Sequence, residues 1–145
     1  LSLVGRAPSA AMVRQADANP NVIVTGAVDD VSPYLTRASI FAAPLQAGSG
    51  TKLKLLQAMA AGKAIITTSI GAEGLRLTPG VQALVADRSD EFERGVVSLL
   101  RSPCLRASLG AAARAHVLRH FSLGVVEREL AEALRAALPG TDLAA

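Results

Sequence analysis

Several residue types that would point to other classes of protein are scarce in this chain of 145 residues. The single cysteine, Cys104, excludes an internal disulfide and fits a reducing compartment. Aromatic residues make up only 3% of the sequence, and the basic residues are scattered, so the sequence lacks the basic stripe of a typical nucleic-acid reader. No apolar run approaches the ~20 residues needed to span a bilayer, and no signal-peptide pattern is present.

The apolar half of the sequence is dominated by alanine, leucine and valine, as expected for helices packed on a parallel sheet. The length suits one domain of ordinary size and is enough to bury a core without disulfides or a structural metal. The sequence begins at Leu1 directly on a strand-like run, so we expect it to be a piece of a longer protein.

Strand-like and helical patterns alternate through residue 90, and helices dominate afterwards. We predict strands at residues 1–5, 22–25, 40–43, 64–68 and 82–86. We predict helices after Pro8, around 33–38, and over 51–61, 92–101, 103–121 and 122–138. This order indicates an α/β fold, a Rossmann-like parallel sheet with helices on both faces and a C-terminal helical segment. Ligands of such sheets bind beyond the carboxyl ends of the strands, which draws attention to the loops after Gly5, Gly26, Pro44 and Thr68.

The segment from Pro44 to Gly62, PLQAGSGTKLKLLQAMAAG, combines a strand end, a glycine loop and a helix start. Gly48 and Gly50 allow the backbone to approach a ligand closely and to adopt unusual dihedral angles. The N–H groups and the positive dipole end of the following helix attract phosphate. The segment is neither a Walker loop nor the GxGxxG dinucleotide fingerprint.

Four residues of this segment add polar groups to the helix start. Ser49 and Thr51 supply hydroxyl donors, and Lys52 and Lys54 supply positive charge. Lysines in a first helical turn oppose the helix dipole, which favours a functional reason for their presence. The pattern therefore indicates a cradle for a diphosphate, although a strand–glycine–helix joint without a ligand has the same outline.

The order and spacing of these motifs resemble the donor-site signature of retaining group 1, or family 4, glycosyltransferases, which have the two-Rossmann-domain architecture called GT-B. The resemblance extends from the first residue to about residue 121 or 122. It is carried by Pro44-Leu45, Gly48, Gly50 to Lys54, Ala58 to Ala60, Gly62-Lys63, Ile65 to Thr68, Gly71 to Leu75 and flanking pieces such as Leu3 to Gly5, Val24 to Gly26, Tyr34-Leu35 and Leu84 to Asp87.

This resemblance implies that the chain is the donor-binding part of an enzyme that transfers a sugar from a nucleotide diphosphate to an acceptor with retention of configuration. Residues 1–121 would form the nucleotide-sugar-binding Rossmann-like domain, without its first strand, and residues 122–145 a C-terminal helix and tail. The acceptor would bind to a missing N-terminal domain, so we assign no catalytic residue and expect the chain alone to be inactive. We expect no cofactor, no metal and no nucleic-acid partner. The family resemblance implies a cytoplasmic enzyme and leaves open a peripheral membrane association of the full-length protein.

The resemblance also implies roles for individual residues. The turn from Gly48 to Lys54 corresponds to the family's binding site for the donor diphosphate. The stretch from Gly26 to Val28 corresponds to a loop whose backbone contacts the nucleotide base. Gln57 stands where the family usually has a glutamate that holds the ribose hydroxyls.

Two departures from the family pattern bear on this interpretation. The family often carries two glutamates, and their positions here are Ser49 and Gln57. A glutamine amide divides donor and acceptor roles between its two ends, so it cannot replace a carboxylate fully. Gln57 therefore keeps open a non-catalytic nucleotide-sugar-binding module, and a nucleotide-sugar epimerase on the same architecture is a further alternative.

The C-terminal helices carry residues to which we assign structural roles. His116 and His120 share a helix face, but no third metal ligand is evident in the sequence. We expect Arg106, Arg114 and Arg119 to form a solvated face. The last helix is predicted to carry an apolar stripe of Val125, Val126, Leu130, Leu134 and Leu138.

Overall fold

The computed structural model describes residues 1–48, 50 and 52–137. Its five strands all pair in parallel and alternate with helices, which confirms the predicted α/β class. The chain divides into two compact units, Leu1–Ala38 and the part that begins at Ser39. The strands pair within these units, as one two-stranded and one three-stranded sheet.

The first unit contains β1 (Ser2–Val4), α1 (Ala10–Ala18), β2 (Ile23–Gly26) and α2 (Ser32–Arg37). Strand β1 pairs with β2 so that Ser2 lies opposite Ile23. The hydroxyl of Ser9 accepts a hydrogen bond from the N–H of Met12 and thereby caps the start of α1. Neither helix of this unit contains a buried residue.

The second unit contains β3 (Ile40–Ala43), α3 (Leu53–Ala60), β4 (Ala64–Thr67), α4 (Ser69–Ala72), β5 (Leu84–Val85), α5 (Ser89–Arg101), α6 (Pro103–His120) and α7 (Leu123–Ala137). Strand β4 lies between β3 and β5, and all four of its residues are buried. Because side chains alternate between the two faces of a strand, burial of every residue means that both faces of β4 are covered.

The core of this unit is built around β4. Ala64 and Ile66 pack with Leu99 of α5 and Leu109 of α6 on one face. Gly110 allows α6 to approach the turn after α3, because a Cβ at this position would overlap the carbonyl oxygen of Gly62. At this contact the backbone of α6 therefore lies directly against the backbone of the turn after α3.

Helix α3 differs from the sequence prediction in its start, and its buried face does not follow from the spacing of its apolar residues. The helix begins at Leu53, whereas the predicted start was Thr51. Thr51 itself lies outside the described residues. The helix buries Leu55, Ala58 and Met59, whereas Leu53, which the helical spacing puts on one apolar face with Leu56 and Ala60, is 67% exposed. Apolar residues occur on most sides of this helix, so their spacing alone does not single out the buried face.

Two arginines of α6 donate hydrogen bonds to carbonyl groups at the C-terminal ends of other helices. Nη1 of Arg106 donates hydrogen bonds to the carbonyl oxygens of Leu99, at 2.6 Å, and Leu100, at 2.9 Å, in the last turn of α5. Nη1 of Arg114 donates to the carbonyl oxygen of Ala60 at the end of α3. The predicted solvated face was wrong for Arg106, which is partly buried, whereas Arg114 is exposed as predicted. Both side chains satisfy carbonyls near the end of another helix.

Helix α7 leaves its apolar stripe largely uncovered. Leu123, Val126, Leu130 and Leu134 are all exposed, and α7 contains no buried residue. The predicted end of this helix near Leu138 and the tail after it lie outside the described residues. None of the described helices combines the length and apolar character needed to cross a membrane.

Candidate functional site

The loop after β3 turns sharply and depends on two glycines. The N–H of Leu45 donates to the carbonyl oxygen of Ala43 at 2.9 Å, so the chain leaves the strand in a tight turn. Gly48 and Gly50 have φ angles of 131° and 81°, in a range that other residues rarely adopt. The two hydroxyl residues predicted for this site, Ser49 and Thr51, lie outside the described residues.

Lys52 lies at the N-cap of α3 and is directed back over the loop. Its Nζ donates a hydrogen bond to the carbonyl oxygen of Gly48 at 2.7 Å, and the residue is only 8% exposed. The side chain makes no capping hydrogen bond to the helix. Among the described residues, Lys52 forms no ion pair with a carboxylate. A poorly solvated cation therefore lies at the positive end of a helix dipole.

The first turn of α3 presents its polar residues to solvent. The carbonyl oxygen of Lys52 accepts hydrogen bonds from the N–H groups of Leu55 and Leu56, as in a regular helix start. Lys54 and Gln57 are both exposed. Because residues three apart are neighbours on a helix surface, these two side chains occupy the same side of α3.

Two threonines at the carboxyl end of β4 anchor this loop. Oγ1 of Thr67 donates to the carbonyl oxygen of Ala43 at 2.9 Å, and Oγ1 of Thr68 donates to that of Leu45 at 2.6 Å. Sequence reasoning gave these hydroxyls no role. The signal that could have found them is a pair of hydroxyl residues at the end of an otherwise apolar buried strand.

The stretch after β4, predicted as a loop, begins with the short helix α4. Thr68 caps this helix by accepting a hydrogen bond from the N–H of Gly71. The carboxylate of Asp87, after β5, accepts from the hydroxyl of Ser69 at 2.6 Å and from its N–H at 2.8 Å. These two hydrogen bonds lower the pKa of Asp87 below its ordinary value, since both favour the charged form.

The predicted structural histidines lie near the end of α6. His116 is buried, and its Nε2 lies 2.8 Å from the carbonyl oxygen of Leu75. Because a carbonyl only accepts, Nε2 carries the hydrogen in this bond. The ring of His120 lies 4.6 Å from that of His116, and burial, followed by the nearby positive charges, lowers the pKa of His120. Among the described residues, no group of three potential ligands could hold a metal ion.

The residues predicted to contact the base belong to the first unit. Gly26 ends β2 with a φ of 69°, and its carbonyl oxygen accepts a hydrogen bond from the N–H of Gly5 at 3.2 Å. Val28 is partly buried in the loop that follows. The predicted site residues from Gly48 to Gln57 that the structure describes lie together in the second unit. Gly26 and Val28 belong to the first unit.

Comparison with solved structures identifies proteins of the same fold. Sucrose-phosphate synthase from Thermosynechococcus elongatus aligns over 97% of this chain with a TM-score of 0.80 and 19% identity. HepE from Anabaena, in complex with UDP, aligns over 93% with a TM-score of 0.77 and 18% identity. The chain covers 39% and 40% of these two proteins, respectively. The C-terminal domain of a group 1 glycosyl transferase family protein from Francisella tularensis aligns over 77% of this chain, with a TM-score of 0.65 and 19% identity, and the chain covers 59% of it.

Comparison of sequences gives the family. No curated protein matches the chain significantly. The family described as glycosyl transferases group 1 matches residues 1–102, well over half of the sequence. The parallel α/β architecture and the glycine loop at the carboxyl edge of its sheet agree with that match, and the chain belongs to the group 1 glycosyltransferases.

Proposed function

We propose that this chain is the donor-binding part of a retaining glycosyltransferase and that it holds a nucleotide-diphospho-sugar at the start of α3. The observation that carries the proposal is the buried ammonium group of Lys52, which lies at the positive end of a helix and has a single carbonyl acceptor, Gly48, among the described residues. Burial of a positive charge at the positive end of a helix raises the free energy of the protein without ligand. A diphosphate at this position would offset that cost.

The remaining polar groups of α3 suit the other parts of the donor. Lys54 adds a second, exposed positive charge one turn from Gln57, whose amide would hydrogen-bond the ribose. Gly26 and Val28 would contact the base through their backbone. Ser49 and Thr51 would add hydroxyl donors to the phosphates. The N–H groups at the helix start supply further donors that no intrahelical carbonyl uses.

The nature of the base is suggested by related structures. HepE from Anabaena has been crystallised with UDP, with UDP and glucose, and with UDP-glucose. We therefore take UDP as the first nucleotide to test. Within this proposal, residues 1–121 form the donor domain and residues 122–145 a C-terminal helix and tail.

The acceptor and the groups that complete the reaction would come from another domain of the full protein. Closure of the cleft between the two domains would exclude water and suppress hydrolysis of the donor. In this arrangement the leaving diphosphate is stabilised by Lys52, Lys54 and helix N–H groups rather than by a metal. The family resemblance supports a cytoplasmic enzyme.

The proposal is tested by calorimetric titration of the protein with UDP, GDP and ADP. We expect saturable binding of one of them, weakened in the Lys52→Ala/Lys54→Ala variant by about 1.5–3 kcal/mol for each desolvated charged hydrogen bond that is lost. The matched control is Arg14→Ala/Arg135→Ala, which removes the same charge from exposed positions on α1 and α7. Equal affinity of the lysine variant and the parent would reject the assignment of the site.

Gln57 supports a second candidate, a nucleotide-sugar-binding module without transferase activity. The exposed amide replaces a carboxylate at the position expected to hold the ribose. Analysis of the products formed by the full-length protein from a nucleotide sugar distinguishes the candidates. A transferred sugar indicates a transferase, an altered sugar still attached to the nucleotide indicates an epimerase, and unchanged donor indicates the module.

A further inference from the structure

The chain between Ser69 and Leu75, here called the bracket segment, is fixed at both ends by side chains from other elements. At its start, the carboxylate of Asp87 accepts two hydrogen bonds from Ser69. At its end, Nε2 of His116 donates to the carbonyl oxygen of Leu75. The second link joins residues 41 positions apart in the sequence. Both anchors lie outside the segment, so its position depends on β5 and α6.

The bracket segment packs on the start of the glycine loop. A Cβ at Gly71 would lie 3.5 Å from Cδ1 of Leu45, so this leucine covers the glycine directly. Thr68 joins the same two parts, because it donates to the carbonyl of Leu45 and accepts from the N–H of Gly71. Movement of the segment would therefore displace Leu45, three residues before Gly48.

The hydrogen bond from His116 also holds a peptide next to a residue with an unfavourable backbone conformation. The carbonyl of Leu75 belongs to the peptide that leads into Arg76, which has a φ of 52°. A residue with a side chain is disfavoured in this left-handed conformation. Leu75 is only 1% exposed, so its carbonyl has little access to water as an alternative partner. The histidine thus fixes the orientation of the one peptide that ends the bracket segment.

We propose that His116 is a positioning residue for donor binding, which holds the bracket segment against the glycine loop through the Leu75 carbonyl. This inference rests on the proposed function of that loop. His116 does not touch the donor; it sets the geometry of the loop that does. The sequence gives this histidine only a structural role, and the fold brings it to Leu75.

The test compares three variants for UDP affinity and for amide hydrogen exchange at residues 45–48 and 69–76. His116→Leu removes the N–H group that donates the hydrogen bond to Leu75. We expect UDP to bind about 3- to 10-fold more weakly, as for loss of one buried hydrogen bond, and amide exchange to be faster in both stretches. His116→Gln keeps an N–H donor and should restore most of the affinity. His120→Gln is the matched control one turn further along α6 and should leave the Leu75 bond intact.

A purely structural role gives a different result. His116→Leu would then lower the melting temperature while the affinity of the folded protein and the exchange at residues 45–48 stayed at parental values, which would overturn the proposal. If His116→Leu does not fold, Asp87→Ala releases the other end of the segment at an exposed position. Faster exchange at 69–76 that spreads to 45–48 supports the proposal, and faster exchange confined to 69–76 overturns it. Failure of the parent to bind any nucleotide would reject the proposed function, while the exchange data would still decide whether the segment positions the loop.

Discussion

Gly71 lies so close to Thr67 that a Cβ on the glycine would overlap Oγ1 of the threonine and come within 3.3 Å of its Cβ. The same Oγ1 donates a hydrogen bond to the carbonyl of Ala43 at the end of β3. The missing side chain at position 71 therefore leaves room for the hydroxyl that ties two strand ends together. This relationship explains in physical terms why a glycine occupies the first turn of α4.

Replacement of Gly71 by alanine should be more damaging than the same change at Gly74. We expect Gly71→Ala to lower the free energy of unfolding by about 1–3 kcal/mol, because the added methyl group overpacks the core next to Thr67. Gly74 has a φ of 76° but open space around it, so Gly74→Ala should cost only about 1 kcal/mol of backbone strain. Urea unfolding of both variants measures the difference, and an equal or smaller loss for Gly71→Ala would contradict this packing argument.

Loss of the Arg114 guanidinium, which belongs to α6, should destabilise the C-terminal end of α3. Arg114→Ala removes the hydrogen bond to the Ala60 carbonyl and a positive charge near the end of that helix. We expect a loss of about 1 kcal/mol in the free energy of unfolding. Arg128→Ala, an exposed position on α7, serves as the control and should change stability by less than about 0.5 kcal/mol. Indistinguishable urea midpoints for the two variants would show that the bond contributes nothing.

Asp87 should make the stability of the protein depend on pH in the acid range. Its pKa is lowered from 3.8 by the hydroxyl and N–H of Ser69, so the charged form is favoured in the folded state. The resulting contribution is fully present above pH 3.8 and is lost as the pH falls from there through the folded-state pKa. The free energy of unfolding should therefore fall more steeply below about pH 4 in the parent than in Asp87→Asn. Parallel curves from urea unfolding between pH 6 and about pH 3 would be evidence against this linkage.

A carboxylate at position 57 should bind the donor more tightly if this side chain holds the ribose. Both oxygens of a glutamate accept hydrogen bonds, whereas an amide offers one acceptor end. We expect Gln57→Glu to increase the affinity for the bound nucleotide by about 3- to 10-fold. Gln15→Glu on α1 adds the same charge at another exposed position and should leave the affinity unchanged. Weaker binding by Gln57→Glu would instead indicate repulsion of the diphosphate and a different site for the ribose.

Local patterns in the sequence were sufficient to predict most of the architecture. Strand β3 has the predicted bounds, Ile40–Ala43, because a short apolar run ending at proline leaves little choice. The end of α3, Ala60, lies only one residue before the predicted end, since Gly62 has the left-handed backbone, φ 66°, that commonly follows a helix. The start and the buried face of α3 could not be predicted, because they depend on what packs against an almost uniformly apolar helix.

The parts of the candidate site that depend on distant contacts were not predictable. The lysine charges and the glycines follow from the motif itself. The bond between Thr68 and Leu45 joins residues 23 positions apart, and that between His116 and Leu75 spans 41 positions. Such pairs are determined by how the helices and strand ends meet in three dimensions, and no spacing rule within one element indicates them.

The two ends of helix α3 differ in their capping. Arg114 donates a hydrogen bond to the carbonyl of Ala60 at its C-terminus, whereas the side chain of Lys52 makes no capping hydrogen bond at its N-terminus. A serine or aspartate at the N-cap would give a more stable helix, and selection for heat resistance alone would favour one. Under the proposed function, a lysine at this position lowers the thermal tolerance of the empty protein and is offset by the bound ligand. The melting temperature should then rise with ligand concentration, so heat resistance would report how much of the protein is occupied.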